Sequence, residues 1–403
     1  MTPYLLVVTK SRDDVFGALF FEGLAADLRE RIRILEFGND SLAGALAGSV
    51  AVIVMRHGLF SFGHLAACAG WAGVPRYYFI DDNLMLLSEE PEVYGPYWSA
   101  YTDENVRRAL KGFAGVLLAS RPLMRYFEEH ALHSNLIEYP PIAWPVLCSR
   151  DAGWDRGPGQ PFRIAFFGGE HRRDVFAGFV YPAVQRLARE QKVELVLAGI
   201  DSDALPTPAS QLRIVHFPYE LRYGAALAEL VRHRIDVLVH PMPPSRNNPY
   251  KNANVLINAR AVGAVPVLSN LPPYNSLGSP PPALLCENDP ESWYGALARL
   301  SRDSWLCEQV FEGANGYCEK HFSGRRNAEA VRRILTAHAT PGRLMRAARR
   351  VVAGPPLGLD RVKVRAERIA RGSRVLRRAV GYVRHRTAAA AKAGYSETTN
   401  SVW

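Results

Sequence analysis

The fold is decided by residues 240–274, which read HPMPPSRNNPYKNANVLINARAVGAVPVLSNLPPY. The residues just before them form a short β-branched run, which is typical of a buried parallel strand. Within the stretch, Asn248 is a good helix N-cap and Pro249 stands where proline is tolerated, at a first helical position. Gly263 marks the end of the helix. The pattern therefore predicts a strand over 235–239, a loop, a helix over 249–262 and a second strand over 265–268.

Polar residues are spaced along one face of this predicted helix. Lys251, Asn254 and Asn258 lie three and then four residues apart, which places them on the same side. Arg246 and Lys251 add positive charge near the helix N-terminus, so the helix predicts an anion site, most naturally for a phosphate. The two asparagines could hydrogen-bond sugar hydroxyls further along. The alternative is a solvated helix face without a ligand.

Strands and helices alternate along the rest of the sequence, which predicts an α/β protein with parallel sheets. A length of 403 residues favours two domains. We predict helices over 16–31 and 60–71 and a long irregular loop over 89–101. Apart from the two strands above, we predict strands over 4–9, 32–36, 51–55, 76–80, 115–120, 136–139, 162–167, 193–198, 212–216 and 283–286. The predicted domains are 1–145 and 162–337, with a linker over 146–161 and a tail over 338–403.

Three polar residues follow predicted strands in the first domain. His57 comes just after the third strand, and Asp81 and Asp82 come directly after the fourth. Ligands of open α/β sheets collect at such carboxyl ends. Adjacent carboxylates could orient a substrate hydroxyl or act as a base, so these three are the candidate catalytic residues. The alternatives are an ordinary loop histidine and a pair of helix-capping aspartates.

The second domain opens with a similar arrangement. The strand over 162–167 leads into Gly168 and Gly169, which let the backbone approach a ligand. His171, Arg172 and Arg173 follow, and paired arginines suit a diphosphate. Exposure of the arginines to solvent, without a ligand, is the alternative.

The stretch 240–274 resembles the donor-binding motif of GT-B glycosyltransferases, in particular the GT4-like retaining group, also called glycosyl transferases group 1. The pattern K-S-x-N-K-x-x-E-x-x-A-x-G-x-P-V-x-x-S is matched at Lys251, Asn254, Ala261, Gly263 and Ser269, with Pro266-Val267 one residue later than usual and Pro273-Tyr274 after it. The chain also lacks three residues that are usual in the family, one of them the first glutamate of the wider family's E-x7-E pattern, which would fall at Tyr250. Val255 stands where a lysine is common, and Asn258 and Tyr250 stand where glutamates are usual. His171 and Asp174 also resemble the turn G-T-x-x-H-x-x-D of this branch, and Asp81-Asp82-Asn83 resembles a strand end of polysaccharide and O-antigen relatives.

This resemblance implies a GT-B fold, in which two Rossmann-like parallel-sheet domains face each other across a cleft. It implies transfer of a sugar, a hexosyl-type group, from a nucleotide-sugar donor to a glycan or lipid-linked acceptor in bacterial surface polysaccharide synthesis. It also implies retention of configuration, with no metal and no cofactor beyond the nucleotide-sugar substrate. The phosphate-binding residues would be Gly168, Gly169, His171, Arg172, Arg173, Arg246 and Lys251, and Asn254 and Asn258 would hold donor hydroxyls.

Charge is concentrated at the C-terminal end. Residues 341–403 carry 15 Lys/Arg and 3 Asp/Glu, a net charge of +12, whereas the whole chain carries +10. Residues 1–340 therefore carry a net charge of −2. Arginines spaced among aliphatic residues predict an amphipathic tail for an anionic membrane surface, and a solvated extension is the alternative. Little aromatic interleaving accompanies these charges, so we expect no nucleic-acid partner.

The five cysteines are scattered, and no CxxC or zinc-type Cys/His spacing occurs. No apolar run approaches a membrane span, and the first residues do not predict a signal peptide. The expected location is the cytoplasm, or the inner face of the cell membrane if the tail binds there. Two other hypotheses remain: a catalytically weakened GT-B scaffold subunit of a glycan-assembly complex, favoured by the two missing glutamates, and an epimerase of the same fold.

Overall fold

The computed structural model describes residues 3–9, 15–36, 42–56, 69, 73–148, 153–200, 205–217 and 222–339. His57, all but residue 69 of the helix predicted over 60–71 and nearly all of the predicted tail lie outside the described residues.

Twelve strands form two parallel sheets of six strands each in the described part of the chain. They are β1 Tyr4–Thr9, β2 Ile32–Glu36, β3 Ser49–Val54, β4 Arg76–Ile80, β5 Gly115–Leu118, β6 Leu136–Glu138, β7 Phe162–Phe167, β8 Val193–Ala198, β9 Leu212–Phe217, β10 Val237–His240, β11 Val265–Ser269 and β12 Leu284–Cys286. The strand order is β2-β1-β3-β4-β5-β6 in the first sheet and β12-β11-β10-β7-β8-β9 in the second. All twelve predicted strands are confirmed. The inner strands are apolar runs, as expected of strands covered on both faces, whereas the edge strands β2 and β9 also carry exposed polar residues.

Helices cover the sheets. Those between the strands of the first sheet are Val15–Gly17 continuing into Ala18–Glu22, Ala26–Arg29, Leu42–Gly48, Leu84–Glu89, Pro91–Tyr94, Pro96–Ala100, Asp103–Leu110 and Arg121–Glu129. Those that follow β7 are Glu170–Arg172, Arg173–Val175 continuing through Phe176–Val180 into Tyr181–Leu187, Tyr223–Arg232, Asn248–Tyr250, Asn254–Val262, Tyr274–Ser276, Pro290–Leu300, Ser304–His321 and Arg325–His338. None of the described helices is long and apolar enough to cross a membrane.

Two predictions for the first domain are wrong. The helix predicted over 16–31 is broken at Gly23, where a Cβ atom would lie 2.4 Å from Ile142 Cγ2, so the chain turns there and packs closely. The loop predicted over 89–101 contains two short helical turns instead. Pro91 and Pro96 each stand at the start of one of these turns, a position that proline suits.

The long helix predicted from Pro249 is also wrong at its start. Residues Asn248–Tyr250 form a single 3-10 turn, Lys251 is extended, and the α-helix begins only at Asn254. Lys251 therefore does not belong to the helix face that carries Asn254 and Asn258. The predicted end is confirmed, since Gly263 adopts φ +68° and a Cβ atom there would lie 2.7 Å from the carbonyl oxygen of Cys148.

The last helix, Arg325–His338, packs on the first sheet against β1, β3 and β6. Its residue Asn327 donates from Nδ2 to the carbonyl oxygen of Pro140 at 2.7 Å, and His338 hydrogen-bonds the Tyr77 hydroxyl at 2.9 Å. Val331, Ile334 and Leu335, all buried, form the apolar face of this helix. The chain thus returns to the first sheet after completing the second.

Candidate functional site

The carboxyl ends of two neighbouring strands supply the first half of the site. β3 and β4 run side by side, with Val54 opposite Tyr78, so the residues that follow them reach the same edge of the sheet. Arg56 follows β3, and Asp81 and Asp82 follow β4. The Arg56 guanidinium contacts Asp81 Oδ1 at 2.9 Å and also pairs with Asp82.

Arg56 is buried, with an exposed fraction of 8%, and its guanidinium lies over the rings of Phe16 and Trp98. Burial alone would lower the pKa of Arg56, but the two carboxylates outweigh it and raise the pKa above the usual arginine value. Arg56 is therefore a fixed positive charge. It was not among the predicted site residues, and its one signal in the sequence was a basic residue directly after a buried strand.

The loop between β10 and the helix Asn254–Val262 brings the second half of the site across the cleft. Lys251 donates from Nζ to Asp82 Oδ1 at 2.8 Å. Asn247, which is fully buried, donates from Nδ2 to the same oxygen at 2.9 Å and accepts the backbone N–H of Asn83 at 2.8 Å. Sequence analysis missed Asn247, because an asparagine in a Pro-rich loop carries no distinguishing pattern.

The two adjacent carboxylates have opposite pKa shifts. Burial would raise the pKa of Asp82, but Lys251 and Arg56 outweigh it and hold this pKa well below the usual range. Burial raises the pKa of Asp81, the charge of Asp82 raises it further, and Arg56 only partly offsets these effects. Two neighbouring carboxylates whose environments shift their pKa values in opposite directions are typical of acid–base sites.

A rim of contacts surrounds this cluster. The Glu90 carboxylate accepts from Ser245 Oγ at 2.6 Å and from the backbone N–H of Arg246 at 3.1 Å. The Arg246 guanidinium pairs with Glu89. Arg246, predicted to neutralise a phosphate, is thus engaged by the first domain at the mouth of the cleft, with its side chain 64% exposed.

The turn after β7 points into the same cleft. His171 is in part exposed there, but the protein around its imidazole displaces water, and this desolvation lowers its pKa well below the usual value. The positive charges of Arg172 and Lys251 lower the pKa further. Asp82 acts on His171 in the opposite direction. The Arg173 guanidinium instead contacts Glu170, a residue of the same turn, at 2.7 Å.

Behind this turn lies a buried pair of polar rings. The Tyr274 hydroxyl hydrogen-bonds His240 Nδ1 at 2.8 Å. Burial lowers the pKa of His240 well below its usual value, and the nearby positive charge of Arg172 lowers it further. Burial raises the pKa of Tyr274, so this pair stays neutral next to Arg172.

The predicted donor-hydroxyl ligands are placed differently from each other. Asn258 is 8% exposed, and its Oδ1 accepts a hydrogen bond from the buried Tyr223 hydroxyl. Asn254 is half-buried at the first position of the helix, three residues after Lys251. The structure therefore brings Asp81, Asp82, His171, Arg172 and Lys251 together, and engages Asn258, Arg173 and Arg246 elsewhere.

The cluster can hold a polyanion against paired carboxylates, because cations from both domains converge on one cleft. Gly168 and Gly169 directly precede the turn that carries His171 and Arg172, and a Cβ on Gly169 would meet the His171 ring at 3.0 Å. Within the described ranges, no group of three or more His, Cys, Asp or Glu side chains is arranged to hold a metal ion.

Comparison with protein-family models and with curated protein sequences finds no match. Solved structures do match. HepE of Anabaena, crystallised with UDP and glucose, shares 12% identity with a TM-score of 0.53, over 83% of this chain and 99% of its own. The chain has the GT-B fold.

Two further GT-B structures are similar over nearly the same length. Sucrose-phosphate synthase of Thermosynechococcus elongatus has a TM-score of 0.53 and 12% identity, covering 84% of this chain and 100% of its own. The UDP-forming α,α-trehalose-phosphate synthase of Burkholderia vietnamiensis has a TM-score of 0.50 and 14% identity, covering 83% and 99%. The predicted fold of two Rossmann-like domains is thereby confirmed.

Proposed function

We propose that this chain is a glycosyltransferase that moves a sugar from a nucleotide-sugar donor to a glycan or lipid-linked acceptor. The observation that carries the proposal is the meeting of Arg172, His171 and Lys251 with Asp81 and Asp82 in the cleft of a GT-B fold. Similar structures that bind UDP or form it support a nucleotide-sugar donor.

In the proposed complex the donor diphosphate lies on Arg172 and Lys251, above the turn that contains Gly168 and Gly169. The bond between the anomeric carbon and the diphosphate oxygen breaks, and its electrons go to the diphosphate. Placed cations lower this barrier, since the negative charge grows as the bond breaks. The ammonium of Lys251 has three N–H donors, so it can serve Asp82 and a phosphate oxygen together.

On the acceptor side we propose that Asp81 faces the hydroxyl that is glycosylated. The hydroxyl oxygen forms the new bond to the anomeric carbon on the face from which the diphosphate departs, so that configuration is retained. It gives its proton to Asp81, whose raised pKa makes it the better base of the pair. Asp82 keeps its charge and holds the cations. A role for His57 next to the acceptor stays a prediction, since it lies outside the described residues.

The finer assignments follow from the motif at Lys251 to Tyr274. We propose a GT4-like, O-antigen-type enzyme that transfers a hexosyl group with retention and without metal or cofactor, in bacterial surface polysaccharide synthesis. The net charge of +12 over residues 341–403 supports binding to an anionic membrane surface, and hence a place at the inner face of the cell membrane.

One observation favours a second candidate, a GT-B scaffold subunit with weakened catalysis. Asn258, which replaces the usual glutamate, is buried and occupied by Tyr223. Asn258→Glu separates the two candidates. A gain in transfer rate supports a weakened enzyme, whereas no gain in a protein that binds no nucleotide supports the scaffold.

The proposed function is tested by thermal unfolding with UDP-, GDP-, CMP- and dTDP-sugars. A donor at 100 times its Kd stabilises the native state by about 2.7 kcal/mol. We expect one nucleotide class to raise the Tm, Lys251→Ala to abolish this shift, and Lys320→Ala, an exposed lysine of the same domain, to preserve it. No shift with any donor in folded wild-type protein would overturn the enzyme proposal.

A further inference from the structure

Asn247 uses both ends of its side chain on the opposite domain. Its Oδ1 accepts the backbone N–H of Asn83 at 2.8 Å, and its Nδ2 donates to Asp82 Oδ1 at 2.9 Å. The residue itself is fully buried. A neutral amide is suited to this place because it supplies one acceptor and one donor in fixed geometry, which neither a carboxylate nor an ammonium can do.

The donors around Asp82 come mainly from the second domain. Its Oδ1 accepts from Asn247 and from Lys251, and its Oδ2 accepts from Arg56. Asp81 contacts the same Arg56. If the cleft opens, Asp82 loses two of these three donors together, and Arg56 alone must serve both carboxylates.

Lys251 and Asn247 therefore contribute different things to one oxygen. Lys251 brings a charge, and in the proposed function it shares that charge with the donor diphosphate. Asn247 brings no charge, and its contacts fix only the direction in which the carboxylate of Asp82 points. Because the Arg56 guanidinium contacts both aspartates, fixing the orientation of the Asp82 carboxylate also fixes that of Asp81.

We propose that Asn247 is a positioning residue that assembles the Asp81–Asp82 pair for acceptor activation only when the cleft is closed. The inference rests on the proposed function, because it takes Asp81 as the group that faces the acceptor. It adds that the first domain's catalytic carboxylate is completed by the second domain, so the reaction is confined to the closed form.

The first test measures closure without activity. The N–H of Asn83 donates to an acceptor on the other domain, so its hydrogen exchange, followed by mass spectrometry with fragmentation to single residues, reports that contact. We expect Asn247→Ala to lose protection at Asn83, and Asn275→Ala, an exposed asparagine of the same domain, to keep it. Unchanged protection in Asn247→Ala overturns the proposal.

The second test measures transfer. In Asn247→Ala we expect kcat to fall by about 100-fold, the size of effect that a misplacement of about 1 Å can have, with donor Kd nearly unchanged. The acidic limb of the pH–rate profile, which reports the base Asp81, should move to higher pH. Without Asn247, Asp82 draws more strongly on Arg56, and Arg56 is the group that lowers the pKa of Asp81 most. The charged and titratable groups that face Asp82 are Arg56, Asp81, His171 and Lys251, and all four remain in this variant. If Asn83 loses protection but kcat and the pH profile stay unchanged, Asn247 only holds the two domains together and does not position the carboxylates. That result would overturn the proposal.

An exchange of the two partners provides the rescue. Asn247→Asp alone places two carboxylates against each other, and we expect it to be worse than Asn247→Ala. Combined with Asp82→Asn it restores one amide and one carboxylate and keeps an acceptor for Asn83, so protection at Asn83 should return. Failure of the double variant to restore protection counts against the contact. If the wild-type protein neither transfers a sugar nor binds a donor, the proposed function is refuted instead. Hydrogen exchange at Asn83 would still show whether Asn247 holds the cleft closed.

Discussion

Replacing Asp82 by asparagine removes the charge on which both domains converge while keeping the shape of the side chain. Its side chain is 11% exposed, and those of its partners Arg56 and Lys251 are 10% and 17% exposed. Breaking a buried ion pair by removing one partner costs about 3–5 kcal/mol. Arg56 keeps Asp81 at 2.9 Å, so we expect the lower end of this range, about 3 kcal/mol.

A matched control is Asp103→Asn. Asp103 pairs with Arg107 at 2.6 Å, but these side chains are 55% and 37% exposed, and such surface pairs contribute less than about 1 kcal/mol. The free energy of unfolding of both variants is measured by urea denaturation at pH 7. A loss in Asp82→Asn no larger than that in Asp103→Asn would refute the argument that the buried pair stabilises the closed protein.

The same variant predicts a pH dependence with a definite sign. The folded pKa of Asp82 lies below its unfolded value of about 3.9, so its charge stabilises the protein fully above that value. This stabilisation is lost as the pH falls through the folded pKa. The gap in unfolding free energy between wild type and Asp82→Asn should be equal at pH 7 and pH 5 and shrink below about pH 4. Burial gives Asp81 the opposite shift, so Asp81→Asn should cost less at pH 7.

Three further outcomes are expected in urea denaturation. Gly263→Ala should destabilise by more than about 1 kcal/mol because its φ is +68°, whereas Gly295→Ala, with open space around a helical glycine, should stabilise by up to about 1 kcal/mol. Ser120→Ala removes both a helix cap and a hydrogen bond to the other domain, so it should cost about 2 kcal/mol, against about 1 for the cap Asp303→Ala. Tyr223→Phe should cost about 1–3 kcal/mol, because it leaves a buried amide oxygen without its donor; an unchanged midpoint would show that water replaces the hydroxyl.

The inner strands of both sheets were predictable because they are buried apolar runs whose signal is local, and the more exposed edge strands, such as β2 and β9, still alternate with helical segments in the sequence. Gly263 also has a local signal, because one residue must adopt a positive φ there. The start of the following helix was not predictable, since Lys251 is held extended by Asp82, a residue 169 positions away in the sequence. The helix-capping pattern at Asn248 depends only on neighbouring residues, so it carries no information about such a distant contact.

The candidate site divides in the same way. Asp81, Asp82, Arg172 and Lys251 were predicted from their places at strand ends and in the motif, and the structure brings them together. Asn247 was missed, because its role comes only from a partner on the other domain. No pattern around Asn258 could show that a tyrosine of another helix would occupy it.

The return of the helix Arg325–His338 to the first sheet has a consequence for synthesis on the ribosome. The first sheet is complete in sequence at Glu138, but its covering helix ends about 200 residues later. At about 5–20 residues per second, the apolar surface that Val331, Ile334 and Leu335 will cover stays open for roughly 10–40 s. The second domain can fold during that interval, so the domain made first is the one finished last. We therefore expect the nascent chain to depend on chaperones most strongly after β6 has emerged and before the last helix has.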